Sequence, residues 1–123
     1  MTIGEVSKKF DITEDTLRYY EKIGLIRDIK RKNGIRSYDE NDILTIEFIK
    51  CMRSAGLSIE FLSQYLTLLR SGDETIDERK NLLIEQRKLI IDRISDMNKT
   101  LERLDYKIEI YDEMMKTVHK DFK

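Results

Sequence analysis

The side chains of this sequence offer cations in a cluster, one thiol and one imidazole. Residues 16–38 hold Arg18, Lys22, Arg27, Lys30, Arg31, Lys32 and Arg36 against only Glu21 and Asp28, a local excess of +5 in a chain whose net charge is −1. The stretches 1–15, 39–70 and 71–123 each sum to −2. A short basic stretch of this kind suits a polyanion, because phosphates respond to the nearby field while salt screens distant acids within about 10 Å. The thiol, Cys51, can act as a nucleophile or be oxidised, but it can neither close an internal disulfide nor join an intrachain thiolate cluster around a metal. The imidazole, His119, stands alone near the C-terminus and reads as a solvated residue. One Cys, one late His and no phosphate-cradling glycine loop leave no nucleophile and base pair, so an enzyme is not expected although acids are plentiful.

Those cations need elements to position them. Thr2 and Glu5 have the spacing of a capping box, and Ile3, Val6 and Phe10 recur at helical intervals, which predicts a first short helix. Thr13 can cap a second helix running to about Lys22, with Glu14 and Asp15 suited to its positive end. Leu17 and Tyr20 share a side that can pack on the first helix, whereas Thr16, Arg18, Tyr19 and Lys22 project elsewhere as a basic and aromatic face. Two short helices joined by a tight turn place a recognition helix in a major groove, although an ordinary helical hairpin has the same pattern. Gly24 then ends the second helix. Asn33-Gly34, the preferred pair for a two-residue type I′ turn, predicts a β-hairpin with Lys30, Arg31 and Lys32 on one arm and Arg36 on the other. Such a tip would thrust cations towards a phosphate backbone, as a wing does.

From Asp39 onward a third helix is expected, with Ile43, Leu44, Ile46, Phe48, Ile49 and Met52 inside and its end at Gly56. Ser58 caps a fourth carrying Ile59, Phe61, Leu62, Tyr65, Leu66 and Leu69, which Ser71-Gly72 stops. Thr75 and Glu78 have capping-box spacing, and no Gly or Pro follows them. Beyond this point Ile90, Ile94, Met97, Leu101, Leu104, Ile108, Tyr111, Met115 and Val118 alternate steps of four and three, about four heptads of a and d positions. A helix of about 60 Å is too long to bury on so small a domain, so the stripe calls for a second copy and a homodimer. The expected fold is therefore mainly α, with a DNA-binding winged helix-turn-helix and its supporting helices over residues 1–70 and a coiled-coil dimerisation helix over 74–119. Two identical heads about a two-fold axis would select an inverted repeat. A coiled-coil adaptor would account for residues 75–118 but not for the basic hairpin. No apolar run approaches a membrane span and the first residues lack the regions of a signal peptide, so a cytoplasmic location is expected.

The stretches Thr16-Leu17-Arg18-Tyr19-Tyr20-Glu21, Gly24-Leu25-Ile26 and Asn33-Gly34-Ile35-Arg36-Ser37-Tyr38 closely resemble the signature of the MerR family of bacterial regulators. The resemblance continues through Asp42-Ile43, the run from Met52 to Ile59 and the C-terminal helix. It implies a winged-helix fold, two further helices behind the wing and dimerisation through a long antiparallel coiled coil. It also implies that Arg18 and Tyr19, with Thr16 nearby, meet DNA from the recognition helix, and that Arg31, Asn33, Arg36 and Tyr38 grip the backbone from the wing. Lys22 and Lys32 join that set by position and charge. Members often carry Pro where this chain has Asp28, so the approach to the wing is less rigid here. The implied mechanism is activation: a homodimer on double-stranded promoter DNA bends and untwists badly phased elements so that RNA polymerase engages both.

The expected signal is narrowed by what the sequence lacks. No large effector domain follows the coiled-coil segment, unlike drug-sensing relatives, and the cysteines with which metal-sensing members flank this helix are missing, so neither a cofactor nor a metal is expected. Lys50-Cys51-Met52-Arg53 resembles a branch whose lone cysteine in this helix is associated with responses to reactive aldehydes and other thiol-modifying stress. By periodicity alone Cys51 shares a stripe with Leu44, Phe48 and Ala55, which predicts a buried, inert thiol. A reactive sensor thiol, and an unidentified ligand or partner, stand as the alternatives. Lys50 and Arg53 would favour the thiolate if their heads came near, and Glu47 would oppose it.

Overall fold

A computed structural model describes the backbone of residues 1–121 and the side chains of residues 1–118, so His119 lies outside the described side chains. Its elements follow the capping signals closely. Helix α1 spans Ile3–Phe10 behind the Thr2/Glu5 capping box, and Asp11 closes it in the left-handed region at φ 53°. Helix α2 spans Glu14–Lys22, with the Thr13 hydroxyl accepting from the Thr16 N–H at 3.1 Å. Val6 and Phe10 of α1 and Leu17 and Tyr20 of α2 are buried, the two faces that the helical spacing marks. Strands β1 (Arg31–Lys32) and β2 (Ile35–Arg36) pair antiparallel, Arg31 opposite Arg36 and Lys32 opposite Ile35. Asn33 at φ 54° and Gly34 at φ 78° are both left-handed, as the type I′ turn demands.

Helix α3 spans Glu40–Ser54 and α4 spans Ile59–Ser71, capped by Asp39 and Ser58 respectively. Leu25, Ile46, Ile49 and Leu62 are all but fully buried together with Val6 and Leu17. Burial of this kind stabilises by about 2 kcal/mol per side chain and fixes the two short helices on α3 and α4. The inner stripe of α3 is Asp42, Ile46 and Ile49, not the one through Leu44, which is 62% exposed. One further expectation is corrected. Thr75 forms no capping box, because a 3-10 turn over Asp73–Thr75 precedes α5 and the buried Thr75 hydroxyl is engaged by the Leu68 and Gly72 carbonyls at 2.7 and 2.8 Å. Arg79 Nε donates to the same hydroxyl at 3.0 Å, which binds the first turn of α5 to the end of α4. The first compact unit runs over Met1–Leu82.

Helix α5 spans Ile76–Asp121, and the described residues of the second unit, from Leu83 onward, belong to that helix alone. A lone helix cannot bury its own stripe. Ile94, Met97, Leu101, Leu104, Ile108, Tyr111, Met115 and Val118 are accordingly 50–73% exposed. Among the described residues no helix is long and apolar enough to cross a membrane.

Candidate nucleic-acid interface

On α2 the outward residues are those the helical spacing selects. Tyr19 is 50% exposed and Arg18 and Lys22 are exposed with it, while Thr16 is half-buried with its hydroxyl 2.7 Å from that of Thr13. Arg18 reaches Asp15 at 2.9 Å and Glu14 at 3.6 Å. Both are exposed pairs one helical turn apart, worth a few tenths of a kcal/mol, so a phosphate or base edge can displace them cheaply. The turn of the hairpin exposes Arg31, Lys32 and Asn33; Arg31 donates to the Gly34 carbonyl at 3.2 Å, and Lys32 has no carboxylate within ion-pair distance among the described residues.

The base of the hairpin differs. Arg36 Nε donates to Glu21 Oε1 at 2.9 Å, with side-chain exposures of 23% and 14%, and the other Glu21 oxygen accepts from the Ile29 N–H at 3.4 Å. Glu21 sits on α2, so one carboxylate ties that helix to both the approach and the returning strand of the hairpin. Arg27, counted in the basic stretch, is spent elsewhere: Nε and Nη2 donate to the two oxygens of Asp42 at 2.7 and 3.2 Å, and Nη2 also reaches Asp39 at 2.5 Å. Asp42, 3% exposed, and Asp39 cap each other's backbone N–H at 2.9 Å, and the bond to Asp42 holds the Arg27 guanidinium above its ordinary pKa. Pairs separated by 15 residues leave no periodic trace, so neither Glu21 nor Asp42 stood out as a fixing point in the sequence.

Tyr38, expected to grip DNA from the wing, sits instead in the core at 2% exposure. Its N–H is bonded to the Met1 carbonyl at 2.7 Å, and its hydroxyl is buried without a hydrogen-bond partner. A phosphate contact there would require the ring to leave the core. Cys51 departs from its expectation in the opposite direction: the residue is exposed, as are Leu44 and Ala55 of the stripe it shares, whereas Phe48 of that stripe is half-buried with its ring 5.4 Å from that of Tyr65 on α4. The neighbouring cations are turned to backbone carbonyls, Lys50 to that of Phe10 and Arg53 to that of Leu57 at 2.9 Å. Among the described residues no group of three His, Cys, Asp or Glu side chains is placed to hold a metal.

This arrangement of two short helices, an exposed basic face and a basic hairpin has close counterparts. Residues 1–69 match the profile of the MerR HTH family regulatory proteins, and residues 43–106 match that described as MerR, DNA binding. The HTH-type transcriptional regulator AdhR of Bacillus subtilis is 57% identical over 93 residues, 75% of this chain, and the chain spans 66% of that relative's length. A crystal structure of a MerR family transcriptional regulator from Listeria monocytogenes superposes with a TM-score of 0.91 at 43% identity, covering 100% of this chain and 94% of the other. That of HiNmlR, a MerR family regulator lacking the sensor domain and bound to promoter DNA, gives 0.81 at 28% identity over 91% and 90%. With family profiles covering the reading head and much of the long helix, and with this agreement in fold, the chain belongs to the MerR family of helix-turn-helix regulatory proteins.

Proposed function

We propose that this protein acts as a homodimer on an inverted repeat in promoter DNA, placing α2 in the major groove and the hairpin on the adjacent phosphates, and activates by distorting the promoter for RNA polymerase. The observation that carries the DNA reading is the uncompensated charge of the hairpin tip beside the exposed Arg18, Tyr19 and Lys22 of α2. The exposed heptad stripe of α5 supports the dimer, since no other helix of the described chain has the length to cover it. A relative without a sensor domain having been solved on promoter DNA favours a chain of this plan working at a promoter. Titration of a promoter fragment across salt concentrations tests the reading: binding should weaken steeply as salt rises, and Arg18→Ala should lose about 1–3 kcal/mol on the specific site while random DNA changes little. Absence of binding, or of salt dependence, would defeat it.

For the signal we propose thiol stress read at Cys51. Its exposure makes it accessible to an aldehyde or oxidant, and an adduct would place a polar group on the apolar outer stripe of α3. Cys51→Ser should retain operator affinity and lose induction by aldehyde in a reporter strain; induction that survives the substitution removes the thiol from the mechanism and leaves an unidentified ligand or partner as the signal.

A further inference from the structure

Within the first unit, a cleft of about 380 Å3 opens between the segment leading to the hairpin, the start of α3 and the end of α4. That volume lies at the small end of ligand sites. Leu25, Leu66 and Leu69 supply its apolar lining, and Arg27, Lys30, Arg70, Asp39 and Asp42 supply its charge. The charges do not cancel in place. All four carboxylate oxygens are already engaged: Asp42 takes Arg27 Nε and Nη2 and the Asp39 N–H, while Asp39 takes Arg27 Nη2 and the Asp42 N–H. Arg70 donates to the Leu66 and Gly24 carbonyls at 3.2 and 2.9 Å, bonds that hold it over the cleft without neutralising it. Lys30 pairs with no carboxylate among the described residues. Three cations against two carboxylates leave the cleft a net charge of +1, and Lys30 and Arg70 are the cations that pair with no carboxylate among the described residues.

We infer that this cleft is a binding site for a small amphiphilic anion, a carboxylate on a short hydrocarbon tail, with Lys30 and Arg70 taking the head and Leu25, Leu66 and Leu69 the tail. A bare inorganic anion would leave the exposed Leu69 hydrated, and a neutral alcohol would leave both cations unpaired. The occupant would add to the link that Arg70 already makes between the end of α4 and the segment leading to the hairpin. The site does not depend on the DNA-binding reading and is tested without DNA.

Titration of the full chain with hexanoate, acetate and hexanol, followed by backbone amide shifts, decides the matter. Hexanoate should saturate and move the amides of Leu25, Thr45 and Leu69, with acetate and hexanol at least about ten-fold weaker, the scale of one charge-assisted hydrogen bond or a lost tail. Lys30→Ala should weaken hexanoate about ten-fold and leave hexanol unchanged, and Leu69→Ser should weaken hexanoate and leave acetate unchanged. Both side chains are exposed, and an unaltered helical circular dichroism spectrum verifies that the variants fold. Failure to saturate, equal affinity for the three probes, shifts scattered away from the cleft, or hexanoate binding indifferent to Lys30 would each overturn the assignment.

Discussion

The tip of the hairpin and its base carry the same kind of charge in opposite circumstances. At the tip, Lys32 at the end of β1 and Asn33 in the turn stand exposed, and Lys32 has no carboxylate within ion-pair distance among the described residues. At the base, Arg36 is held by Glu21, and Arg27 on the approaching segment is held by Asp42 and Asp39. Seven cations in one stretch thus divide into some that are free to meet a phosphate and some that hold the frame on which the first group stands. Net charge over a window is therefore a poor measure of charge available to a ligand, because Glu21 inside the window and Asp39 and Asp42 beyond it neutralise particular cations and leave others free.

If the base is structural, removing its most buried acid should produce the largest effect. Asp42→Ala leaves Arg27 with Asp39 alone and deletes the reciprocal cap of α3. Arg27 is 39% exposed, so the loss should fall below that of a fully buried pair, at about 2–3 kcal/mol in urea denaturation. A loss under about 0.5 kcal/mol would place this network with the surface pairs of α2 and erase the distinction.

The next contrast sets Arg36→Ala against Lys32→Ala. Lys32→Ala should leave stability within about 0.5 kcal/mol and reduce the salt slope of DNA binding by about one, equally on specific and random sequences. Arg36→Ala should do the reverse, costing about 1–2 kcal/mol of stability because Glu21, 14% exposed, loses its cation, with little change in the slope. A fall in slope for Arg36→Ala would mean that Arg36 exchanges Glu21 for a phosphate when DNA arrives.

How much of this could be read beforehand differs by element. Local signals were legible: Thr2 with Glu5, Thr13, Asp39, Ser58 and Asn33-Gly34 each act on backbone within a few residues, and each marks an element boundary in the structure. The α5 stripe was legible because it repeats. Contacts between elements were not. Periodicity located two apolar stripes on α3 but could not tell how deeply each would be covered: Ile46 and Ile49 are buried, Phe48 is half-buried against Tyr65, and Leu44 and Cys51, expected inside, are exposed. Tyr38 entered the expected site through the family resemblance alone, and nothing local in the sequence announces its burial at 2% exposure.

Tyr38 gives a smaller test of the same division. Burial, and then the nearby Glu21 carboxylate, raise its pKa above the ordinary 10.0, so the hydroxyl keeps its proton at neutral pH and remains a donor without a partner. Tyr38→Phe should therefore be neutral or stabilise by up to about 1 kcal/mol, with DNA affinity unchanged. If stability rises but affinity falls, the hydroxyl is reserved for DNA and the ring moves on binding, which would make the base of the hairpin part of the reading surface.

The smallest effect concerns acid. The Asp39 carboxyl is held below its ordinary 3.8, first by the Asp42 backbone N–H and then by the Arg27 charge, and Glu5 below its ordinary 4.5 by the Thr2 backbone and hydroxyl. A depressed carboxyl binds its proton more weakly in the folded chain than in the unfolded one, so its contribution is complete above the unfolded value and is lost as pH falls through the folded value. The melting temperature should thus be level from about pH 5 to 7 and decline below about pH 4. Asp39→Asn retains an oxygen for the α3 cap but has no charge to lose, so it should lower the plateau slightly and flatten the decline. An acid limb unchanged by Asp39→Asn would assign the loss to the other capped carboxylates, and the charge at Asp39 would then count for the cleft and not for the fold.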